Sequence, residues 1–341
     1  MSTKPQLKVT ILGTLMMLIA THAYADDCQK IRDGIKNLPA RGGTVKIEKG
    51  VYNCSSAIII DRSHVKLIGA GQDNVTIKLA DGSHAPIIII GNTTILKNEV
   101  GNFVVKKRVK DIQVSGFTID GRRSTHDVTK ECGDHSCDGD ISSVRNNGIT
   151  IRGASYVTVS DVTAHSMISG GLVTEKYCDH LIVRNFSSYD NFFDGLAGYE
   201  TEKSEFSNLH LHDNKGAGIS IDINFNNNII RDSKIAHNGD VGIFGRHIRG
   251  NQFNSLDVFL SGSFGIFLAK DLQTCAEDNT FKDVNIIGSR GAPIRMNDDC
   301  KGNKIIGISY LCHNFVSGVS EKLPGAIQVG DLVQCSTETS K

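Results

Sequence analysis

Between residues 148 and 269 the chain repeats one pattern of polar and apolar positions. A polar turn ends in glycine, an apolar residue follows, and inward and outward positions alternate over one short strand: GITIR, GLVTE, GLAGY, GISID, GIFGR and GIFLA. The opening glycines are Gly148, Gly171, Gly195, Gly218, Gly242 and Gly265, at intervals of 23, 24, 23, 24 and 23 residues. A second apolar run follows each polar turn, as in DHLIVRNFS, SEFSNLHLH and NNIIRDSKI, and asparagine recurs at Asn191, Asn214 and Asn238. A period in this range is the mark of a solenoid. No unit carries a helical pattern of useful length, so each reads as one coil of an all-β solenoid, its strands stacked in parallel about 4.8 Å apart. A single coil has too little apolar surface to fold alone; stacking buries it. The glycines are expected to permit the turns, and the asparagines to hydrogen-bond along their column.

The flanks extend the scheme. Ile31, Ile35 and Leu38 stand at helical spacing before Pro39, which predicts a short amphipathic helix covering the open end of the first coil. GTVKIEKGVY, AIIIDRSHVKLIGAG, VTIKLADG and APIIIIG read as early strands. The repeat is broken over residues 121–147, an insertion of the kind that projects from one face, often the binding face. From about residue 308 the tail is expected to form a C-terminal cap. The expectation is a single domain over residues 26–341.

Residues 1–25 read as a signal peptide: Lys4 and Lys8, an apolar centre from Val9 to Ala20, and an A-x-A site at Ala23–Ala25. A secreted or periplasmic protein follows, and with it disulfides among the nine cysteines. Proximity along the chain suggests Cys28–Cys54, Cys132–Cys137, Cys275–Cys300 and Cys312–Cys335, leaving Cys178, although sequence alone does not fix connectivity. Lys and Arg total 37 and Asp and Glu total 37, which argues against nucleic acid as a partner. No later segment is long and apolar enough to cross a bilayer. No cofactor is required; GDHSCDGD offers Asp134, Asp138 and Asp140 as oxygen ligands for calcium, against the plainer reading of a hydrated acidic loop.

GGTVKIEKGVY, GFTIDGRR and the coils from Gly148 to Gly307 resemble the right-handed parallel β-helix of the pectin-lyase-like superfamily. That resemblance covers nearly all of the chain after residue 25 and implies a protein active on polysaccharides. The stretch from FTIDGRR through SGGLVTEK to NFFDGLAGY is most similar to mannuronan C5-epimerase and alginate lyase-like coils, and Asp194 in FFDG matches a functional aspartate of that group. The group's Asp-Pro-His-Glu motif is replaced here by LVTEK, so Asp194 alone carries over.

Strand alternation sends the residue after each glycine inward: Ile149, Leu172, Leu196, Ile219, Ile243 and Ile266. The fourth residue faces outward: Arg152, Glu175, Tyr199, Asp222, Arg246 and Ala269, with His247 and Lys270 following at strand ends. A plain solvated face favours Thr, Ser, Lys and Asn; this column supplies acids, bases and cations at fixed spacing. On an acidic polysaccharide, abstraction of the proton at C5 of a uronate needs its carboxylate neutralised, a base, and an acid. Arg246 or Arg152 would neutralise, Asp194, Tyr199, Asp222 and His247 would exchange protons, and Glu175 and Lys270 would help bind substrate. Protonating the leaving oxygen gives a lyase; returning a proton to the other face gives a C5-epimerase. Two readings compete. One is a non-catalytic glycan-binding or adhesion β-helix. The other is an inverting glycoside hydrolase using Glu175 and Asp222, about 9.6 Å apart at two strand spacings. His165, His212 and His237 read as turn residues that share no register.

Overall fold

The computed structural model describes residues 26–94, 96–97, 103–105, 108–125, 137–141, 144–272, 274–306, 309–313, 328–329 and 332–334. Residues 1–25, expected to be a signal peptide, lie outside them, as do Cys132, Asp134, Cys335 and the side chain of Cys312.

The chain winds as a right-handed parallel β-helix, and among the described residues it is all-β apart from the helix α1 (Gln29–Lys36) and one 3₁₀ turn (Arg123–Thr125). One wall is a nine-stranded parallel sheet running from Ile58–Ile60 through Ile88–Gly91, Ile149–Arg152, Leu172–Glu175, Leu196–Tyr199, Ile219–Asp222, Ile243–Arg246 and Ile266–Ala269 to Ile294–Met296. Its register joins the predicted strands residue for residue: Leu172 pairs Leu196, Leu196 pairs Ile219, Ile219 pairs Ile243 and Ile243 pairs Ile266. All six inward residues predicted after the glycines are buried. In the four coils that open at Leu172, Leu196, Ile219 and Ile243 the rest is a two-residue strand and an eight-residue strand, as in Cys178–Asp179 followed by Ile182–Tyr189.

Corners are made by left-handed residues, mostly single and paired at Lys176–Tyr177 and Ile223–Asn224. Asn185, Asn208, Asp232 and Ser255 bend the eight-residue strands at φ of 50 to 53°, and His180, Lys203, Asn227 and Gly250 turn the chain just before them. Asn, Asp and His tolerate this region better than most residues, and Gly enters it freely. The six strand-opening glycines, by contrast, are absent from the positive-φ residues, so the turn explanation for them is corrected. Their cause is close stacking. A Cβ at Gly148, Gly171, Gly195, Gly218 or Gly242 would stand 2.6 to 2.9 Å from the carbonyl oxygen of the equivalent glycine one coil on, and at Gly218 it would also meet Ile235 Cγ2 at 2.3 Å.

Inside, apolar columns run the length of the solenoid, including Phe253 and Phe281 stacked with centroids 4.5 Å apart. The predicted asparagine column exists: Asn191 Nδ2 donates to Asn214 Oδ1 (2.8 Å) and Asn214 Nδ2 to Asn238 Oδ1 (2.9 Å). A second ladder, not anticipated, links Asn228, Asn251, Asn279 and Asn303 at 3.0 to 3.2 Å. These amides are buried, and the ladders satisfy the turn backbone that burial would otherwise leave unpaired.

At the N-terminal end α1 buries Ile31 and Ile35 against the first coil, and the Cys28–Cys54 disulfide ties it there. Cys275–Cys300 is also bridged, Cys137 is disulfide-bonded, and Cys178 is free and buried. In the tail, Ser309–His313 and Leu332–Gln334 add further parallel rungs to the large sheet, and most of the expected C-terminal cap lies outside the described residues. No helix among the described residues is long and apolar enough to cross a membrane.

Candidate functional site

A cleft of about 340 Å³ opens on the nine-stranded wall where the insertion rejoins the repeat. Its floor is Val173 and Ala197, the second residues after Gly171 and Gly195, adjacent in register. Arg145 and Asn147, from the end of the insertion, close one side; Phe193 and Asp194 form one rim, and Glu175 and Tyr199 the other. Asp194 precedes and Tyr199 ends the strand Leu196–Tyr199, so their backbones stand about 16 Å apart at the strand rise, with both side chains turned over the floor.

Asp194 is held by the next coil: Ala217 N–H donates to its Oδ1 at 2.7 Å. The neighbouring Gly216 leaves that oxygen room, since a Cβ there would lie 2.5 Å from it. Burial dominates the carboxyl's electrostatics and pushes its pKa up to about 6, against the opposing Ala217 hydrogen bond and with a further push from Asp240. Burial likewise pushes the Tyr199 phenol up to about 12, helped by the negative charge of Asp194 and Asp222. Glu175 is raised by burial too, with Arg152 opposing. The cleft therefore holds one carboxylate that titrates near neutrality and one phenol that keeps its proton.

The remaining predicted residues are placed as follows. Arg152 is 4% exposed, beneath Thr93, whose carbonyl accepts from its Nη1 at 3.2 Å; its Nε lies 2.7 Å from Glu175 Oε1, an ion pair in which the N–H is not aimed at the oxygen. It is not available to clamp a substrate carboxylate. Asp222, adjacent to Tyr199 in register, is 5% exposed; it accepts from Arg246 Nε at 2.9 Å and from the backbone of Ile223 at 2.7 Å. Arg246 is therefore charge-compensated while its side chain stays 42% exposed, and Asp222 is covered beneath it. With Glu175 on Arg152 and Asp222 on Arg246, the pair named for an inverting hydrolase is spent in ion pairs.

His247 leaves the face altogether. Its left-handed backbone (φ 52°) turns the chain, and the ring lines a separate groove with Asn224, Arg249 and Glu277. Lys270 pairs with Asp299. Among the described residues no three His, Cys, Asp or Glu side chains gather as a metal site; Asp138 and Asp140 are described, and Asp134 is not.

Two things escaped the sequence. Arg145 seats its guanidinium 5.3 Å from the centroid of Phe193 and forms no ion pair with a described carboxylate, which makes it the cleft's available cation. Its position outside the repeat hid it, although an insertion ending beside the glycine column was a signal. On another wall, His165, Tyr189 and His212 do share a register and stack at 4.9 Å per step, correcting the reading of these histidines as scattered; a tyrosine holds the middle place, so counting histidines missed the column.

The sequence matches the family described as right handed beta helix region over residues 47–253 and 147–320. No curated protein matches it. Among solved structures it is similar to the A-module of a mannuronan C-5 epimerase from Azotobacter vinelandii (16% identity, TM-score 0.57, covering 91% of this chain and 93% of that one). It is also similar to a mutant of the periplasmic alginate epimerase AlgG (14%, 0.57, 86% and 84%) and to DFA-IIIase from Arthrobacter chlorophenolicus (12%, 0.65, 91% and 86%). At these identities the likeness to solved structures concerns the fold. The family match spans most of the chain and agrees with the observed winding, and the chain belongs to the right-handed β-helix family.

Proposed function

We propose that the protein is an exported, secreted or periplasmic, polysaccharide-active β-helix whose cleft moves the C5 proton of a uronate in an acidic polysaccharide, as a lyase or a C5-epimerase. The observation that carries this is the pairing of Asp194 and Tyr199 across one cleft, a buried carboxylate titrating near 6 facing a phenol held protonated. Ionised at neutral pH, Asp194 takes the C5 proton from a ring seated on Val173 and Ala197. Arg145 neutralises the substrate carboxylate, which makes that proton acidic. Tyr199, on the opposite rim, supplies a proton. Delivered to the leaving oxygen as the C4–O bond breaks, it completes a lyase reaction with a C4–C5 double bond. Delivered to the far face of C5, it completes an epimerisation. In both cases exchange with water then returns Asp194 and Tyr199 to their starting states. The disulfides and the structural likeness to a periplasmic alginate epimerase support the exported setting.

The test is a panel of alginate, pectate and glycosaminoglycans, followed by ultraviolet absorbance of unsaturated uronate and by proton NMR of the epimer ratio, with wild type and Asp194→Asn side by side. Product formed by the wild type and lost in the variant supports the reading. Equal product from both removes Asp194 from the chemistry. Binding without product by the wild type favours the glycan-binding alternative.

A further inference from the structure

The nine-stranded wall continues beyond the cleft, and its register shows what lies there. The floor position of Ala197 passes through Ser220 and Phe244 to Phe267 and then Arg295. The rim position just before the glycine passes from Asp194 through Ala217 and Val241 to Phe264. Three coils from the cleft, then, both the floor and the rim positions are phenylalanine. They form one unit: Phe264 and Phe267 have centroids 5.5 Å apart, and Phe267 meets Phe244 edge-on at 5.6 Å. Arg295 lies over both rings, its guanidinium carbon 4.9 Å from the Phe264 centroid and 4.8 Å from that of Phe267.

This arginine differs from its neighbours on the wall. Arg152 and Arg246 are compensated by Glu175 and Asp222. Arg295 is exposed and has no ion-pair partner among the described residues, the same state as Arg145 on Phe193. An exposed arginine resting on aromatic faces is pre-organised, because the rings fix its plane without satisfying its N–H donors. Those donors suit a carboxylate, and the ring faces beside them suit the C–H face of a sugar.

We infer that Phe264, Phe267 and Arg295 form a distal subsite that takes a second uronate of the same polysaccharide chain whose reacting residue occupies the cleft. This rests on the proposed function and adds to it the direction of the polymer, along the solenoid axis toward the C-terminal coils. Three coil steps separate the cleft floor at Ala197 from Phe267 and four from the Arg295 backbone, about 14 and 19 Å at the strand spacing. A short oligomer in the cleft cannot span those distances, whereas a longer one engages both arginines.

The experiment measures affinity of the full chain for uronate oligomers of increasing length by calorimetry, using wild type, Arg295→Gln and Phe267→Leu, each checked for wild-type melting. For wild type, affinity is expected to rise once the oligomer spans both sites. In each variant that rise is expected to fall by roughly tenfold, the size of one charge-assisted or stacking contact, with short oligomers bound as before. Both variants matching wild type at every length overturns the subsite while the cleft reading stands. Loss of affinity at every length, short oligomers included, also overturns it, because the residues then act on the cleft. No binding of any uronate oligomer by wild type overturns the cleft reading and the subsite with it.

Discussion

Replacing Asp194 with asparagine should make the protein more stable at neutral pH while abolishing turnover. Burial raises the carboxyl's pKa from 3.8 to about 6 in the fold. At about 1.36 kcal/mol per pH unit, holding it ionised in the native state costs about 3 kcal/mol. The sign follows from a raised folded-state value: the side chain's stabilising contribution is complete below the unfolded pKa, where it is protonated in both states. It is lost as the pH rises through about 6. Asparagine keeps an oxygen for the Ala217 N–H and never ionises. At about pH 8 the variant is therefore expected to be more stable by about 3 kcal/mol and to melt several degrees higher, and near pH 4 the two melting curves should converge. Differential scanning calorimetry across that range reads this directly. A variant less stable than wild type at pH 8, or a difference that ignores pH, would refute the account of Asp194 as an ionised carboxylate held against its burial. Such a residue is the usual sign of stability given up for function. The same ionisation sets the pH dependence of activity, which should rise through about 6 as Asp194 becomes a base.

Tyr199→Phe should lower kcat by at least about a hundredfold, the usual contribution of a placed general acid, with little change in melting because it removes only a hydroxyl at the cleft. Gly218→Ala should destabilise by about 1 to 3 kcal/mol, through contact with Ile235 and the Gly242 carbonyl and not through backbone strain; urea denaturation measures it. Asn238→Ala should lose about 2 kcal/mol or more by leaving the N–H and amide of Asn214 and the Leu211 carbonyl without their partner, again read by urea denaturation.

Legibility followed locality. The coil period, the inward column and the first asparagine ladder depend on residue type at one repeating position, and they were read from Gly148 onward without knowledge of any contact. Cys28–Cys54 and Cys275–Cys300 were also legible, because each joins near neighbours along the chain. What failed depended on partners in other coils. Alternation correctly turned Arg152 and Asp222 away from the core, and their places in successive coils already set Asp222 beside Arg246, but it did not reveal that Thr93 and Glu175 cover Arg152. His247 was misplaced because a left-handed corner ends the alternation one residue earlier than the strand pattern suggests. Arg145 was missed because it sits in residues that obey no period. The second ladder was missed because its spacing stretches to 28 residues between Asn251 and Asn279.

The stacking register has an evolutionary consequence. Across the wall, positions are fixed by side-chain packing and change by substitution. Along the axis, they are fixed by a count of coils. Duplicating residues 218–241 would add one rung with its own glycine, its own inward isoleucine and its own ladder asparagine at the place of Asn238. Every cross-section would survive, and anything beyond it would move away from Asp194 by one strand spacing, about 4.8 Å. Lengths on this surface are thus inherited in whole steps, and a lineage can lengthen or shorten its reach along a polymer without redesigning a single contact.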